Sequence, residues 1–363
     1  MKKIILIVAV LVIIALMVFF SKRDTGVSAE EIRLGAVLSL SGEAAADGLN
    51  IKRGIDLAVA DLAEEGVNVK VEYQDDETDS AKTVSAVQYL LATFKPHAIV
   101  GPTWSFLEDA AGPVTAQAKI IAYAPADTSE YTSSKSPYNF RGGPLNSLAV
   151  GPMADWLTQN NKSRIAIIYD KSPWGENVGQ SFRDAVAKAG KTVALEDTTV
   201  PFATDAASIT SLFITKAKSL NVDAILWTGY DAEAVALVKR RAELEYDVPV
   251  IVQTTAYQAL LSRNAVFPEE LDNMFYLAVP RSSEFVEKFK AAYGEEPGNY
   301  ADRVYDGVMI LVEAIQNSPA NDSDAISNYL HTKLSYDGYA GKYEFNEDGD
   351  MRYGEWIVSP IVE

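Results

Sequence analysis

A chain of 363 residues, 48% hydrophobic and 23% charged, is long enough for two domains that each bury a core, and too apolar for extended disorder. Its formal net charge of -18 argues against a nucleic-acid partner, because phosphate contact needs basic surface. The absence of cysteine excludes disulfides, zinc–thiolate sites and a cysteine nucleophile, and leaves the compartment open. The N-terminus is more telling. Lys2 and Lys3 precede the uncharged apolar run Ile4–Phe20, which is followed by Ser21-Lys22-Arg23-Asp24, the arrangement of an export signal. As a helix that run is about 25 Å long, the short limit for a bilayer span. Val27-Ser28-Ala29 would serve as a cleavage site, but Lys22 and Arg23 lie between it and the apolar run. This favours an uncleaved anchor over residues 1–29, with the rest exported.

The first strand is expected at Ile32–Leu40, followed by a Ser41-Gly42 turn and an amphipathic helix from Gly48 to Glu64. A second strand, Val67–Tyr73, runs into the acidic turn Asp75–Asp79 and a helix from Ser80. Strand and helix alternating at this spacing means a parallel sheet with helices on its faces. Such sheets hold small ligands outside the carboxyl ends of their strands. Next come strand Ala98–Gly101, the turn Pro102–Ser105, helix Phe106–Ala118, and strand Ile120–Ala124 running into Pro125–Thr128. Gly142, Gly143 and Pro144 mark a crossing segment, after which the alternation restarts.

The second series has helices at Ser147–Gln159, Gly175–Ala189, Asp205–Ser219 and Ala232–Leu244. Its strands are Arg164–Tyr169, Lys191–Leu195, Ala224–Trp227 and Val250–Val252. Gly190 reads as a helix C-cap. A third segment, Phe275–Val279 into Ser282–Tyr293, precedes helix Tyr300–Gln316. The tail, Lys342–Phe345 and Gly354–Val358, reads as a hairpin turning at Asp348-Gly349. The expected fold class is α/β, with two Rossmann-like lobes.

With these elements in order, the chain resembles the type I periplasmic binding proteins, in the leucine/isoleucine/valine-binding branch that serves ABC importers. The resemblance rests on Ile32–Gly42, Gly54–Ala58, Tyr73–Asp79, Ile99–Pro102 with Ser105, Ala124–Thr128 and Asn139–Arg141. It continues through Ile167–Asp170 with Trp174–Glu176, Thr228–Tyr230 and Tyr305–Gly307. No single motif is very specific; the ordered series, over residues 31–363, is. The resemblance implies two lobes joined by three crossing strands, near 140–146, 277–281 and 334–338. Lobe I would be 30–143 plus 279–335, and lobe II 144–278 plus 336–363. It also implies capture of one small solute by hinge closure in a Venus-flytrap manner, delivery to a membrane ABC permease, and no catalysis.

Carried over residue by residue, the resemblance places Ser105 where the family's serine binds a ligand carboxylate. A helix starting just after it offers N–H groups and a positive dipole end, although a plain N-cap serine would look the same. Ala126 and Thr128 fall where relatives use a backbone carbonyl and a hydroxyl on the ligand. Tyr230 matches a tyrosine that contacts the ligand from the second lobe, and Trp174 an aromatic that closes over it. The departure is Thr255, where amino-acid-binding members carry an acidic residue for the α-ammonium. An ammonium buried without counter-charge is costly, so another carboxylate substitutes or the ligand is no amino acid. Asp47, where relatives present an aromatic, is the available substitute; a solvated helix cap is its plainer reading. Trp104, with Trp227 and Tyr257, would line an aromatic pocket or simply pack in the core.

An enzyme is the rival class. His97 and His331 are the only histidines, and neither belongs to a recognisable triad, HExxH or phosphate-loop pattern. Asp75–Asp79 lacks the alternation of a calcium loop and is expected to cap. No cofactor and no metal are expected, and the chain should be a monomer. The expected function is an exported solute-binding protein for a small carboxylate-bearing solute, with a membrane-anchored sensor using the same cleft as the alternative.

Overall fold

Alternation along the strands decides how the chain layers. In β1 (Ile32–Leu38), Leu34, Ala36 and Leu38 enter one core while Val37 enters another, so the strand is buried on both faces. The computed structural model describes residues 31–125, 136–253, 260, 267–319 and 322–362. The expected anchor at 1–29 lies outside them; among the described residues no helix is long and apolar enough to cross a membrane.

The first sheet contains β1, β2 (Val69–Asp75), β3 (Ala98–Val100), β4 (Ile121–Ala124) and β5 (Asn139–Arg141) in the order β2-β1-β3-β4-β5, all parallel. The second contains β6 (Arg164–Asp170), β7 (Thr192–Thr199), β8 (Ala224–Trp227), β9 (Val250–Val252), β10 (Met274–Ala278) and the late strand β13 (Ile357–Pro360). Its order is β13-β10-β9-β8-β6-β7, parallel except where β13 runs antiparallel to β10. Helices cover both faces, as the α/β reading requires. In chain order, α1 (Ala45–Glu64), α2 (Ser80–Tyr89) and α3 (Ser105–Ala118) flank the first sheet. The helices α4 (Val150–Gln159), α5 (Pro173–Lys188), α6 (Ala206–Ser219) and α7 (Asp231–Glu243) flank the second.

After β10 the chain returns to the first lobe. The helices α8 (Ser283–Tyr293), α9 (Ala301–Gln316) and α10 (Ser323–Thr332) place Phe285, Phe289, Val304, Val308 and Leu330 in the core under β1. Gly54 permits this return, since a Cβ there would lie 2.3 Å from the Ala301 carbonyl oxygen. Gly48 plays the same part at the other end, where α1 presses on the Ser39 carbonyl at the tip of β1. These close approaches bring the start of α9 beside the start of α1.

The tail differs from the expected hairpin. Tyr336–Gly338 (β11) pairs with Gly341–Tyr343 (β12), and Phe345 bridges Met351 around a turn closed by Asn346, whose side chain accepts the Asp348 and Asp350 N–H groups at 2.9 Å. Residues 354–358 do not pair with 342–345; β13 instead joins the second sheet. Tyr343, Phe345 and Met351 are buried in the first lobe's core, whereas Trp356 is buried in the second. The tail thus divides: 336–351 packs with the first lobe, not the second. The crossings fall at 142–145, 279–282 and 352–355, so the third lies well beyond 334–338. The reason is apolar content, since Tyr343, Phe345 and Met351 have their burial sites under the first sheet.

Two crossings are tied at their first-lobe ends. Arg141 and Asp350, both buried, form an ion pair, with Nε donating to Oδ1 at 2.6 Å, while the Arg141 N–H donates to the Gly349 carbonyl. The acidic turn caps as expected: Asp79 accepts from the Ala81 and Lys82 N–H groups, and Asp75 from those of Leu40, Ser41 and Glu77. Gly190, with φ +67, follows α5 as its left-handed terminator.

Asp350→Ala would strand a guanidinium in the interior, and urea unfolding should show a loss of about 3–5 kcal/mol. A second expectation concerns Asp306, whose carboxylate accepts the Tyr339 and Ala340 N–H groups at 2.9 and 2.7 Å. Burial pushes its pKa up from 3.8 to about 7. Because the folded value is the higher one, its stabilising contribution is full below pH 3.8 and is lost as pH rises through about 7. The unfolding midpoint of Asp306→Asn, compared with the parent from pH 4 to 8, should lack this downward slope.

Candidate functional site

The aromatic residues that meet at the site follow strands at their carboxyl ends. The turn after β1 leads into α1, whose third residue is Asp47. The turn after β3 delivers Trp104 as the N-cap of α3 and Ser105 as its first residue. Ser105 is therefore not the cap, as the expected helix start at Phe106 would have made it; it is the first residue of the helix's first turn. In the second lobe, Ser172 after β6 caps α5 by accepting the Gly175 N–H at 3.0 Å, which sets Trp174 in the first turn. Tyr230 after β8 is the N-cap residue of α7, and Phe202 lies beyond β7 with φ +58.

Four of these side chains meet across the gap between lobes. Trp104, from the first lobe, lies 5.7 Å from Tyr230 between ring centroids and 6.5 Å from Phe202, its ring nearly parallel to the latter at 5°. Phe202 and Tyr230 are 4.4 Å apart, and Trp174 is 6.2 Å from Tyr230. Distances of this kind are those of interacting aromatic pairs. Burial raises the Tyr230 hydroxyl's pKa, with further contributions from Asp170 and Glu233, so it stays a neutral phenol.

Asp47 sits behind this cluster. It is 7% exposed, and its Oδ2 accepts the Trp104 indole N–H at 2.8 Å while Oδ1 accepts the Asn299 amide at 3.2 Å. It is not a solvated cap: Ala44 occupies the N-cap of α1 and the Asp47 carboxylate turns inward. One carboxylate thus joins the starts of α1, α3 and α9.

The structure brings Asp47, Trp104, Trp174 and Tyr230 together, with Ser105 next to Trp104 in the chain. Ala126, Thr128 and Thr255, and with them Asp127 and Tyr257, lie outside the described residues. Trp227 is core: it is 1% exposed and packs under the second sheet. Phe202 and Asn299 were not singled out from the sequence. Phe202 left a usable signal, an aromatic in a short apolar run directly after a strand. Asn299 left none, since it meets Asp47 across 252 residues. The histidines serve the frame. His97 Nδ1 accepts the Arg33 N–H, and His331 lies against the Asn346 and Pro137 carbonyls and the Phe140 ring. Among the described residues no acidic or histidine cluster is arranged to hold a metal.

Residues 31–358 match the periplasmic binding protein family. The chain belongs to that family. Its relatives represent the leucine/isoleucine/valine-binding branch. A Leu/Ile/Val-binding protein homolog 2 from Brucella abortus is 24% identical over 351 residues, covering 92% of this chain and 91% of the relative. The branched-chain amino acid transporter substrate-binding protein LivJ of Streptococcus pneumoniae, solved with isoleucine, superposes with TM-score 0.79 at 22% identity, covering 91% of this chain and all of that one. A solute-binding protein of an ABC transporter from Rhodopseudomonas palustris, solved with 3,4-dihydroxybenzoic acid, gives 0.75 at 20% identity, covering 92% and 98%. At these identities the solved structures establish the fold. The family comprises solute-binding proteins, not enzymes, and this member is one of them.

The Trp104–Phe202–Tyr230 contact joins residues of both lobes at the strand tips. Phe202→Ala should weaken capture of a bound solute by about 0.5–1.5 kcal/mol, roughly twofold to thirteenfold in Kd by calorimetry, with the melting temperature of the unliganded chain little changed. An unaltered Kd would contradict the role given to Phe202.

Proposed function

We propose that this chain is the extracytoplasmic solute-binding component of an ABC importer, and that it captures a small carboxylate-bearing organic solute between its lobes. The observation that carries the reading is the aromatic contact across the gap: Trp104 from one lobe touching Phe202 and Tyr230 from the other. Rigid, largely apolar walls with a few aimed polar groups are what small-molecule sites require.

The carboxylate end belongs at the start of α3, with the Ser105 hydroxyl and N–H as donors and the helix dipole favouring the anion. The Thr128 hydroxyl would complete this end, while the Ala126 carbonyl would accept from an ammonium and Thr255 would face that ammonium without charge. Trp174 and Tyr230 form the wall of the second lobe. Asp47 is the counter-charge for any ammonium, in place of the acidic residue that Thr255 replaces. Its inward carboxylate, held by two neutral donors, supports that assignment. Relatives of this fold bind ligands as different as isoleucine and a dihydroxybenzoate, so the fold leaves the solute open. The run Ile4–Phe20 supports export with residues 1–29 retained as a tether, and the protein would act as a monomer presenting its solute to a membrane permease.

A thermal-shift screen of amino acids, aromatic acids and short carboxylates tests the reading, because a solute that binds only the folded chain raises its melting temperature. For the best hit, Ser105→Ala should cost about 1–3 kcal/mol of affinity through loss of a charge-assisted hydrogen bond. Equal affinity of parent and variant would remove Ser105 from the site.

A further inference from the structure

Elsewhere in this chain, ring faces are covered by the protein's own cations. Lys52 lies 4.5 Å from the centre of the Tyr73 ring, Arg53 5.5 Å from that of Tyr293 and Arg183 5.4 Å from that of Tyr169. The four rings at the gap are treated differently. Among the described residues, no lysine or arginine lies over Trp104, Trp174, Phe202 or Tyr230. They are nevertheless partly open: Phe202 is 48% exposed and the other three are half-buried. Phe202, Tyr230 and Trp104 stand 4.4, 5.7 and 6.5 Å apart, so a single point in the gap can lie within about 6 Å of all three centres, the reach of a cation–π contact.

The charge around the rings also favours a cation. Asp47 is buried behind Trp104, on the first-lobe side. In the second lobe Asp170 and Glu233, both buried, are close enough to Tyr230 to disfavour its phenolate. A field that opposes negative charge at this ring favours a positive group beside it. The hydrogen bonds then narrow the kind of cation. A primary ammonium brings N–H donors that need acceptors, and ring faces are poor ones. Both Asp47 oxygens already accept, from the Trp104 indole at 2.8 Å and the Asn299 amide at 3.2 Å. A trimethylammonium has no N–H to satisfy, and its methyl groups pack directly on ring faces.

We propose that the captured solute is a betaine, with a quaternary ammonium held against Trp104, Phe202, Tyr230 and Trp174 and its carboxylate at the start of α3. The inference rests on the carboxylate-binding reading above and names the other end of the same solute. Trp104 and Ser105 are consecutive in the chain, so the two charges lie close together, which suits a short linker. Asp47 acts here through its charge, not through a hydrogen bond to the solute. Because Trp104 belongs to one lobe and the other three rings to the second, the onium group is gripped from both sides of the gap.

Calorimetry on the full chain with two matched series provides the test: glycine betaine against tert-butylacetate and glycine, and γ-butyrobetaine against 5,5-dimethylhexanoate and γ-aminobutyrate. The first comparator in each series keeps shape and carboxylate but has carbon in place of the charged nitrogen. The second keeps the charge but has N–H groups in place of methyls. In at least one series the betaine should bind about tenfold or more tightly than both comparators. In Tyr230→Leu the preference over the carbon analogue should fall to within about threefold, while Tyr230→Phe, which retains the ring, keeps it. A carbon analogue that matches its betaine in both series overturns the proposal and leaves the carboxylate reading standing. An unmethylated ammonium that matches it in both series does the same, as does a preference unchanged in Tyr230→Leu. The comparison on the parent chain decides the matter even where the leucine variant does not fold. If none of the six binds, the proposal falls, and the thermal-shift screen still decides the carboxylate reading.

Discussion

The structure turns on the contact between Trp104 and the pair Phe202–Tyr230, because it is where two separately folded halves meet at the tips of their strands. Each half has its own cores, one on either face of its sheet. Neither half needs the other to bury its strands. Three short crossings and this aromatic patch join them, so a change of shape at the gap leaves the cores undisturbed. Lobes that each carry their own cores meet the mechanical requirement for trapping a solute between them.

Asp47 gives the patch its chemistry. The Asp47 carboxylate accepts from the Trp104 indole and the Asn299 amide, and so ties the aromatic wall to the start of α9. The crossings in turn are held by ion pairs, the buried Arg141–Asp350 pair and the half-buried Arg281 with Asp302. Asp302 stays ionised despite its burial, because the desolvation cost is offset by Arg281 and Arg303, which lower its pKa.

Most of the fold was legible because period-two and period-3.6 patterns are local. Leu34, Ala36 and Leu38 against Val37, or the apolar faces of the 16-residue helices α5 and α9, announce their burial within a few residues. The acidic turn was legible for the same reason, since Asp79 caps a helix that begins one residue later. The tail was not. Whether Gly354–Val358 pairs with its neighbour or with β10 depends on which core Tyr343 and Trp356 fill, and that is decided far away in sequence. Site residues divide in the same way. Trp104, Trp174 and Tyr230 follow strand ends and could be read off their turns. Phe202 needed knowledge of which loops face each other, and Asn299 meets Asp47 only because Gly54 lets α9 lie against α1.

The central claim is that the two halves close on a solute at the aromatic patch. With no native cysteine in the chain, spin labels can be placed cleanly at Glu43→Cys in the first lobe and Thr204→Cys in the second, both exposed positions on loops next to the site. Pulsed electron–electron resonance on this pair, without and with a saturating solute taken from the thermal-shift screen, reads the lobe separation directly. The account predicts a broader, longer distance distribution that shortens and narrows on binding. A distribution that is identical in both conditions would contradict it.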